Sequence, residues 1–283
     1  MTGRLRLTFK TQPQNGSWAD LESCWRELDE SDEFEAGWLF DHFYPILEPT
    51  VDGPCFEGWS ALSYLAGATR RLRLGLMVSG NTYRHPAVLA NMCATLDVAS
   101  RGRLLIGIGA AWNQAEHDAY GIPFPPLKIR MDMLEEACQV LDTLLTRSVS
   151  SFSGAHYQLR EAHCEPKPLQ HPRPPIVIGG AGERRTLNIV ARYADHWNYP
   201  GRDPLELRRK RDVLERHCAA VGRNPEEIEI SAHLFEPFDE VESIRLAAAL
   251  YEAGCDEVIL YAKAPYDAAR LRSLATHIRG EIG

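Results

Sequence analysis

Asp41 and His42 place a carboxylate beside an imidazole directly after an apolar run. Histidine changes its charge near neutral pH, so His42 is the first candidate for a residue that exchanges a proton with a substrate. An isolated pair of this kind is a weak motif, because a histidine that only caps a strand looks the same in a sequence. Its catalytic role is therefore a hypothesis that other parts of the chain have to support.

A second candidate is a glycine-rich loop made of Gly179, Gly180, Ala181 and Gly182. It lies between an apolar strand pattern and a helix pattern that we expect to begin at Glu183. Backbone N–H groups at the start of a helix attract phosphate, and glycines let the phosphate approach the backbone. Arg184 and Arg185 fall in the first turn of this predicted helix, where cations are unfavourable unless an anion is near. The loop predicts phosphate binding, and a plain turn with both arginines in solvent is the alternative.

The third predicted strand ends in apolar side chains where most enzymes have polar ones: Leu76, Met77 and Val78. An apolar wall at that position suits one face of a planar ring, although Met77 would also serve simply to fill core volume. Ser79 follows directly, in a segment with turn-forming residues. Asn113 and Asn198 stand after two other predicted strands, where their amides can hydrogen-bond to the same ligand.

Gly107 and Gly109 resemble the beginning of a dinucleotide-binding fingerprint, but the match fails. The third small position is occupied by Trp112, and no acidic residue ends a following strand at the expected distance. These glycines more plausibly allow a ligand to pass close to the backbone.

Strand and helix patterns alternate along the chain and would position these residues. Eight strand patterns occur, at residues 5–11, 36–40, 72–78, 104–109, 176–179, 196–199, 228–235 and 257–261. Each is followed by an amphipathic or apolar helix pattern, which predicts parallel strands with right-handed crossovers. The count favours a single α/β domain over residues 1–283, a (β/α)8 TIM barrel, and a doubly wound open sheet is the competing architecture. Ligands in both architectures bind at the carboxyl ends of the strands.

Residues 148–175 differ from the rest, with short alternating pieces and many prolines. We expect this segment to be an insertion that packs on the barrel. The helix patterns at residues 57–71 and 131–145 carry enough apolar residues to form the face of a homodimer.

Composition excludes several classes of function. The net charge of −8 argues against a nucleic-acid partner, because phosphate backbones need a basic face. No apolar run approaches the roughly 20 residues of a membrane span, which makes a cytoplasmic enzyme the simplest expectation. The seven cysteines are scattered and show no zinc spacing, so neither disulfides nor a metal is expected.

Residues 72–113 resemble the luciferase-like monooxygenase superfamily, within it the oxidoreductases that use the deazaflavin coenzyme F420. The resemblance extends through LFDHFYPI at 39–46, EGW at 57–59, AYGIPFPPL at 119–127, CEPKPLQ at 164–170 and PPIVIGGAGERRTL at 174–187. It implies that His42 lies against the deazaflavin ring, that Asp41 hydrogen-bonds within the cofactor site, and that the loop at 179–182 holds the cofactor's phosphate. It further implies a non-proline cis peptide near Leu76-Met77 or Met77-Val78.

The resemblance also indicates where this chain departs from some relatives. Those that oxidise alcohols have a glutamate acid two residues before the tryptophan position, where this chain has Ala110. The resulting prediction is an F420-dependent oxidoreductase that transfers a hydride between the deazaflavin and a small organic substrate, preferentially as a reductase of an activated carbon–carbon or imine double bond. A monooxygenase that uses reduced flavin mononucleotide (FMN) and oxygen is the first alternative. The others are a non-catalytic deazaflavin- or flavin-binding protein and a sugar-phosphate enzyme on the same barrel.

Overall fold

The computed structural model describes residues 4–282, and its main sheet is a barrel of eight parallel staves. Seven staves are single strands, and the third is divided into two short strands. The barrel strands are β1 (Arg6–Thr11), β2 (Ala36–Leu39), β3 (Arg73–Leu76) with β4 (Ser79–Gly80), β5 (Leu104–Gly109), β8 (Ile176–Gly179), β9 (His196–Tyr199), β10 (Glu229–Phe235) and β11 (Glu257–Ala262). A hairpin outside the barrel supplies β6 (Ser150–Ser153) and β7 (Gln158–Ala162).

Pairing closes the sheet on itself. The strand order runs β3-β2-β1-β11-β10-β9-β8-β5-β4, and β3 also pairs with β5. Leu74 lies opposite Leu104, and further along the same stave Ser79 lies opposite Ile108. The (β/α)8 prediction is therefore confirmed, and the open doubly wound sheet is excluded.

Helices connect the staves and surround the barrel. They are α1 (Trp18–Asp29), α2 (Gly58–Ala68), α3 (Pro86–Ala99), α4 (Gln114–Tyr120), α5 (Leu127–Thr146), α6 (Thr186–Tyr193), α7 (Pro204–Val221), α8 (Glu240–Glu252) and α9 (Ala268–Ile282), with a short 3-10 helix at Pro225–Glu227. Capping residues explain where two of these helices begin. The Ser17 hydroxyl, at the N-terminus of α1, accepts from the N–H of Asp20 at 3.1 Å, and Pro86 is the first residue of α3 after the capping His85.

Two apolar cores lie on opposite sides of the strands. The larger fills the space between strands and helices, because alternate residues of every strand point outward. The smaller fills the barrel interior and consists of Ala36, Trp38, Met77, Leu105, Val177 and Ile259, with Val78 packed against it. Nearer the carboxyl ends of the strands the barrel interior is occupied by buried polar side chains, among them Lys10, Gln12 and His233.

The segment after α5 folds as the antiparallel hairpin β6–β7 and then returns to the barrel through a proline-rich stretch. The return is held by Asp97 of α3, a fully buried carboxylate. It accepts the backbone N–H groups of Leu169 at 2.8 Å and Gln170 at 3.0 Å. These charge-assisted bonds fix the insertion to the barrel wall.

Three local predictions were wrong. The third strand does not run unbroken to Val78, and Ser79, expected in a turn, lies in β4 and pairs with β5. Helix α6 begins at Thr186 and not at Glu183, because residues 183–185 form turns, so Arg184 and Arg185 precede the helix. Helix α4 was not predicted, since its seven residues carry no apolar face of helical period.

None of the helices within residues 4–282 combines the length and the apolar character that crossing a bilayer requires. All seven cysteines are free thiols, and every one except Cys55 is buried.

Candidate active site

The carboxyl ends of neighbouring staves carry the residues singled out from the sequence. His42 follows β2, Asn113 follows β5, and Gly179 ends β8. Backbone pairing sets Gly80 opposite Gly109 and Gly179 opposite Asn198. These strand ends therefore face the same mouth of the barrel, as parallel strands require.

His42 is paired with a carboxylate that the sequence analysis did not single out. Its Nδ1 atom lies 2.8 Å from Oε2 of Glu116, which is the third residue of α4. The His42 residue is 8% exposed, and Glu116 is fully buried. Helix α4 thus supplies an acidic partner to a histidine that belongs to a different βα loop.

Glu116 accepts three hydrogen bonds in this position. Besides His42, its donors are the backbone N–H of Phe43 at 2.6 Å and the hydroxyl of Tyr83. Burial opposes ionisation of Glu116, but the bonds from His42, Phe43 and Tyr83 outweigh it and hold the pKa of this carboxyl below its ordinary value. Glu116 is therefore a carboxylate at neutral pH.

An ionised Glu116 determines how His42 can act. The carboxylate can only accept, so Nδ1 of His42 carries a hydrogen and donates it. The second ring nitrogen, Nε2, is then the atom that gains or loses a proton. Rings of Phe40 and Trp112 contact the imidazole edge-on, with centroids 5.1 and 5.5 Å away, and fix its plane.

A sequence signal for Glu116 exists. Asn113 caps α4, with its side-chain oxygen 3.4 Å from the N–H of Glu116, and the spacing of these two residues is that of a capping box. Gly121 ends the helix in a left-handed conformation at φ +66°. Start and stop signals therefore predict α4 even though its apolar pattern does not.

Asp41 forms a buried salt bridge with Arg84. Its carboxylate is 1% exposed and takes two bonds from the guanidinium of Arg84, at 2.5 and 3.1 Å. Burial raises the pKa of Asp41, and Arg84 acts against that rise. Glu57 lies 3.5 Å from the same guanidinium. Both carboxylate oxygens of Asp41 are therefore bonded to Arg84.

The third stave is interrupted where the apolar wall was predicted. The peptide bond between Met77 and Val78 is cis, as the family resemblance implied, and it separates β3 from β4. Lys10 on β1 donates from Nζ to the carbonyl of Met77 at 2.8 Å across the barrel interior. Leu76 and Met77 are buried, and Val78 is partly exposed.

Glycines of the two adjacent staves make room for Val78. A Cβ atom at Gly109 would stand 2.9 Å from a Val78 methyl, and one at Gly179 would stand 3.2 Å from both methyls. A Cβ at Gly107 would come within 1.8 Å of the carbonyl oxygen of Leu76. Gly107 and Gly109, the first glycines of the failed fingerprint, therefore make room for the divided third stave, which we call the bulged stave.

Ser79 is buried, and its hydroxyl accepts from the indole of Trp59 at 3.0 Å. Asn198 is also buried, and its amide donates to the hydroxyl of Ser231 at 3.0 Å. Asn113 faces the mouth but uses its side-chain oxygen to cap α4. The side chains of these three residues therefore have partners within the protein. Their role in binding a ligand stays a prediction from the sequence.

The glycine-rich loop connects β8 to α6. Gly180 has φ +128°, a conformation that favours glycine, and its carbonyl accepts from the indole of Trp197 at 2.7 Å. Lys210 of α7 donates to the carbonyl of Ala181 at 2.9 Å. Hydrogen bonds from side chains of β9 and α7 therefore hold the loop in place.

Backbone donors are available in this loop. The N–H of Gly180 is bonded to the carbonyl of Asn198, whereas within residues 4–282 no backbone carbonyl accepts from the N–H groups of Ala181 and Gly182. Arg185 pairs with Asp132 at 2.5 Å, and Arg184 is exposed. Two free amides and a nearby arginine are a donor set for an anionic oxygen group.

Aromatic rings form a wall beside His42. Phe43 contacts Tyr83 and Tyr120, with centroids 4.8 and 5.1 Å apart, and Tyr44 stacks on Tyr120 at 6.3 Å. Trp112 is 57% exposed although it is the largest side chain of this wall. An exposed tryptophan at the mouth is a surface that a flat ligand can cover.

Among the described residues, no group of three or more histidine, cysteine, aspartate or glutamate side chains has the arrangement of a metal site. The groups described so far at the mouth can exchange a proton at His42 and donate hydrogen bonds from the backbone amides of the glycine-rich loop.

A family model for luciferase-like monooxygenases matches residues 8–273 of the chain. Among curated proteins, an F420-dependent glucose-6-phosphate dehydrogenase of Kineococcus radiotolerans is 32% identical over 239 residues, 83% of this chain and 69% of that protein. The uncharacterized protein Rv0953c of Mycobacterium tuberculosis is 32% identical over 168 residues, and the match covers 59% of this chain and 58% of that relative. The pyrimidine monooxygenase RutA of Allorhizobium ampelinum is 32% identical over 143 residues, 50% of this chain and 38% of its own length.

The solved structure of an F420-dependent secondary alcohol dehydrogenase, in complex with an F420-acetone adduct, superposes with a TM-score of 0.82. The match covers 99% of this chain and 100% of that one at 16% identity. At this identity the likeness shows a shared fold.

Proposed function

The chain belongs to the luciferase-like monooxygenase family, and on this premise we propose that it is an oxidoreductase that uses the deazaflavin coenzyme F420 to transfer a hydride to or from a small organic substrate. The observation that carries the proposal is the pairing of His42 with the buried Glu116 at the barrel mouth. Such a pair is suited to moving one proton per turnover. The relatives named as F420-dependent dehydrogenases support the choice of cofactor.

The residues at the mouth fit a flat ring with a phosphate. Val78 offers an apolar face on the bulged stave, and Gly109 and Gly179 leave room for its methyl groups. The free amides of Ala181 and Gly182 suit a phosphate oxygen, and we propose that the exposed Arg184, two residues later, neutralises its charge. We assign the ring to the wall of Leu76, Met77 and Val78, and the phosphate to the loop of Gly179, Gly180, Ala181 and Gly182.

When bound, the deazaflavin supplies or accepts the hydride. His42 holds the proton at Nε2, and Glu116 keeps Nδ1 protonated, so that the imidazole presents the same nitrogen in every cycle. Asp41 fixes Arg84 next to this pair. Ser79, Asn113 and Asn198 hold the surrounding strand and helix ends and are proposed to line the cofactor site.

We favour reduction over oxidation of the substrate. Ala110 has no acidic group, so the additional acid found in relatives that oxidise alcohols is missing. One proton at His42 and one hydride are together sufficient for the reduction of an activated carbon–carbon or imine double bond. Glucose 6-phosphate, named for the Kineococcus relative, is the first compound to test in the opposite direction.

The second candidate is a monooxygenase that uses reduced flavin mononucleotide and oxygen. The match to the pyrimidine monooxygenase RutA favours it, because it covers half of this chain at the same 32% identity. Both cofactors consist of a tricyclic ring and a phosphate, so the same wall and loop serve either. A non-catalytic protein that only binds the cofactor would not need the pair of His42 and Glu116.

The decisive experiment is a side-by-side fluorescence titration of the purified protein with F420 and with flavin mononucleotide. We expect a dissociation constant at least about tenfold lower for F420, which corresponds to 1.4 kcal/mol of binding free energy. Tighter binding of flavin mononucleotide, together with oxygen consumption when the flavin is reduced, would reject hydride transfer in favour of oxygen chemistry.

A matched pair of variants identifies the phosphate loop in the same titration. Gly182→Pro removes a free amide of the loop and is expected to weaken F420 binding. Gly222→Asn alters a helix end with no neighbour within 4 Å of its Cβ position, and it should leave binding unchanged.

We further propose a homodimer. The apolar residues of α5, including Leu134 and Leu141, are buried within the chain, so that predicted face is not available. On α2 Tyr64 is 48% exposed, and on the adjacent α3 Val88 is 54% exposed. Light scattering after size-exclusion chromatography should give twice the mass of the chain, and a Val88→Asp variant should give the mass of one.

A further inference from the structure

A second cluster of polar side chains points into the barrel from β1, β10 and β11. Its members are Lys10, Gln12, His233 and Tyr261. Strand register sets Lys10 opposite Tyr261 and Tyr261 opposite Phe235, so the cluster lies near the carboxyl ends of three adjacent staves. Apart from the bond of Lys10 to the Met77 carbonyl, the roles assigned above do not use it.

Lys10 is a buried amine, and within residues 4–282 no carboxylate forms a salt bridge with it. The residue is 6% exposed, Nζ donates to the carbonyl of Met77, and it stands 4.3 Å from the centre of the Tyr261 ring. An ammonium has three donors, so two are left for other acceptors. Burial lowers the pKa of Lys10 to about 7.

His233 is the second unusual member. It is 5% exposed, and in the part of the chain described here neither ring nitrogen has a hydrogen-bond partner. The rings of Phe235 and Tyr261 lie against it, with centroids 5.4 and 5.6 Å away. Buried polar groups are almost always satisfied, so a neutral imidazole with two unused nitrogens indicates that a ligand completes it.

The cluster also lies where a substrate would have to be. The staves that hold the proposed ring wall and phosphate loop are the third, β5 and β8, and the order of strands puts β10, β11 and β1 across the barrel from them. A ring placed on Val78 would therefore face the strands that carry this cluster, and Lys10 reaches across to the Met77 carbonyl beside Val78.

We propose that Lys10 and His233 bind a carboxylate group of the substrate, so that the protein acts on small unsaturated carboxylic acids. This inference rests on the proposed function and names the substrate class of the same site. Lys10 supplies the positive charge, and a ring N–H of His233 supplies a second hydrogen bond. Tyr261, positioned by a bond from Gln12 at 3.1 Å, provides an apolar face for the carbon skeleton.

A carboxylate suits this cluster better than a phosphate does. Lys10 is its only group with a formal positive charge among the described residues, because His233 is neutral. A dianionic phosphate would keep one charge uncompensated in a buried place, whereas a monoanionic carboxylate is neutralised. The aromatic lining favours an organic acid over an inorganic ion.

The test is a calorimetric titration with trans-cinnamate, its neutral analogue cinnamamide and inorganic phosphate. Each is titrated into the protein without cofactor and with saturating oxidised F420. Cinnamate should bind one to one in at least one of these states, and cinnamamide and phosphate should bind about 30-fold more weakly or not measurably. Equal affinity for cinnamate and cinnamamide, or no cinnamate binding in either state, would overturn the proposal.

Proton uptake provides a readout that a merely structural lysine would not give. The groups that face Lys10 are His233, the Tyr261 phenol and the Met77 carbonyl, and Glu48 acts on Tyr261 from the loop above. At pH 8.5 Lys10 is mostly neutral, and a bound carboxylate restores its proton. Titrations in two buffers of different ionisation enthalpy should therefore show uptake of nearly one proton per cinnamate at pH 8.5 and much less at pH 6.

Variants locate the site. Lys10→Met and His233→Phe should each weaken cinnamate binding, by about 30-fold and about fivefold, and Lys10→Met should abolish the proton uptake. Lys263→Met is the matched control, because this rim lysine is half exposed and pairs with Glu48. Unchanged affinity in Lys10→Met would refute the inference.

The wild-type F420 titration separates the two proposals. Wild-type protein that binds F420 but shows no preference for cinnamate over cinnamamide contradicts only the carboxylate site. Protein that binds cinnamate with proton uptake but does not bind F420 contradicts the proposed cofactor and supports the anion site.

Discussion

The Nδ1 atom of His42 lies 2.8 Å from a carboxylate oxygen of Glu116, although the two residues come from different loops of the barrel. Glu116 is fully buried and is further bonded to the Phe43 backbone and to Tyr83. A histidine oriented in this way presents a single nitrogen to the mouth. Four predictions follow from this pair and from the packing around it.

Replacement of Glu116 should reduce turnover and leave cofactor binding intact. In Glu116→Gln the side-chain amide no longer fixes the tautomer of His42, so kcat should fall by about 10²-fold. Steady-state kinetics, with the F420 titration as a binding control, would measure this. Asp118→Asn, an exposed change on the same helix, should keep wild-type kcat. Unchanged kcat in Glu116→Gln would show that the pair is only structural.

Removal of the imidazole should have a larger effect. His42→Ala deletes the proposed proton carrier, and a fall in kcat of about 10²–10⁴-fold is expected while F420 still binds. The pH profile of kcat provides the second check, because it should change in a variant that lacks the proton carrier. His163→Ala, an exposed histidine of the insertion, is the control.

The space around the bulged stave should not tolerate a methyl group. In Gly107→Ala the new Cβ would meet the carbonyl oxygen of Leu76, and the free energy of unfolding should decrease by about 1–3 kcal/mol. Gly67→Ala is the matched control, because no atom lies within 4 Å of its Cβ position in α2. Alanine should stabilise that helix by about 0.5–1 kcal/mol. Urea denaturation of both variants measures these changes in the free energy of unfolding. Changes of the same sign in the two variants would contradict the prediction.

The buried imidazole of His233 should make the fold sensitive to acid. Burial, together with the charge of Lys10, holds its pKa well below the ordinary value of about 6.5. The unfolded chain takes up a proton as the pH falls through 6.5 while the folded chain does not, so stability is present above that pH and is lost below it.

The measurement compares wild type with His233→Phe. Between pH 7 and pH 5 the wild type should lose about 2 kcal/mol more than the variant in free energy of unfolding. His196→Phe is not a suitable control, because burial also lowers the pKa of His196. Parallel pH dependences for wild type and His233→Phe would mean that the folded protein protonates this ring normally.

The fold could be predicted because each stave carries its own signal. His196–Tyr199 was located to the residue, since it lies between a helix pattern and Pro200. The glycine-rich loop between β8 and α6 was located by the same reasoning. These features depend on neighbours in the sequence, so local chemistry is sufficient to find them.

The pairing at the centre of the site could not be predicted in this way. Glu116 lies 74 residues from His42, and only the closed barrel brings α4 against the loop after β2. The partner of Asp41 and the unused nitrogens of His233 likewise depend on packing between distant staves. Periodicity carries no information about such contacts.

The divided third stave has a consequence for association between chains. Gly75 below the break pairs with Leu105, and Gly80 above it pairs with Gly109, so β5 bridges the interruption on one side. An interruption in an open sheet would present unpaired backbone donors and acceptors, which recruit strands from other molecules. Here the break lies within a closed barrel, where the third stave pairs with β5 on both sides of it. The backbone around the break is therefore not an edge strand to which another molecule could add a strand.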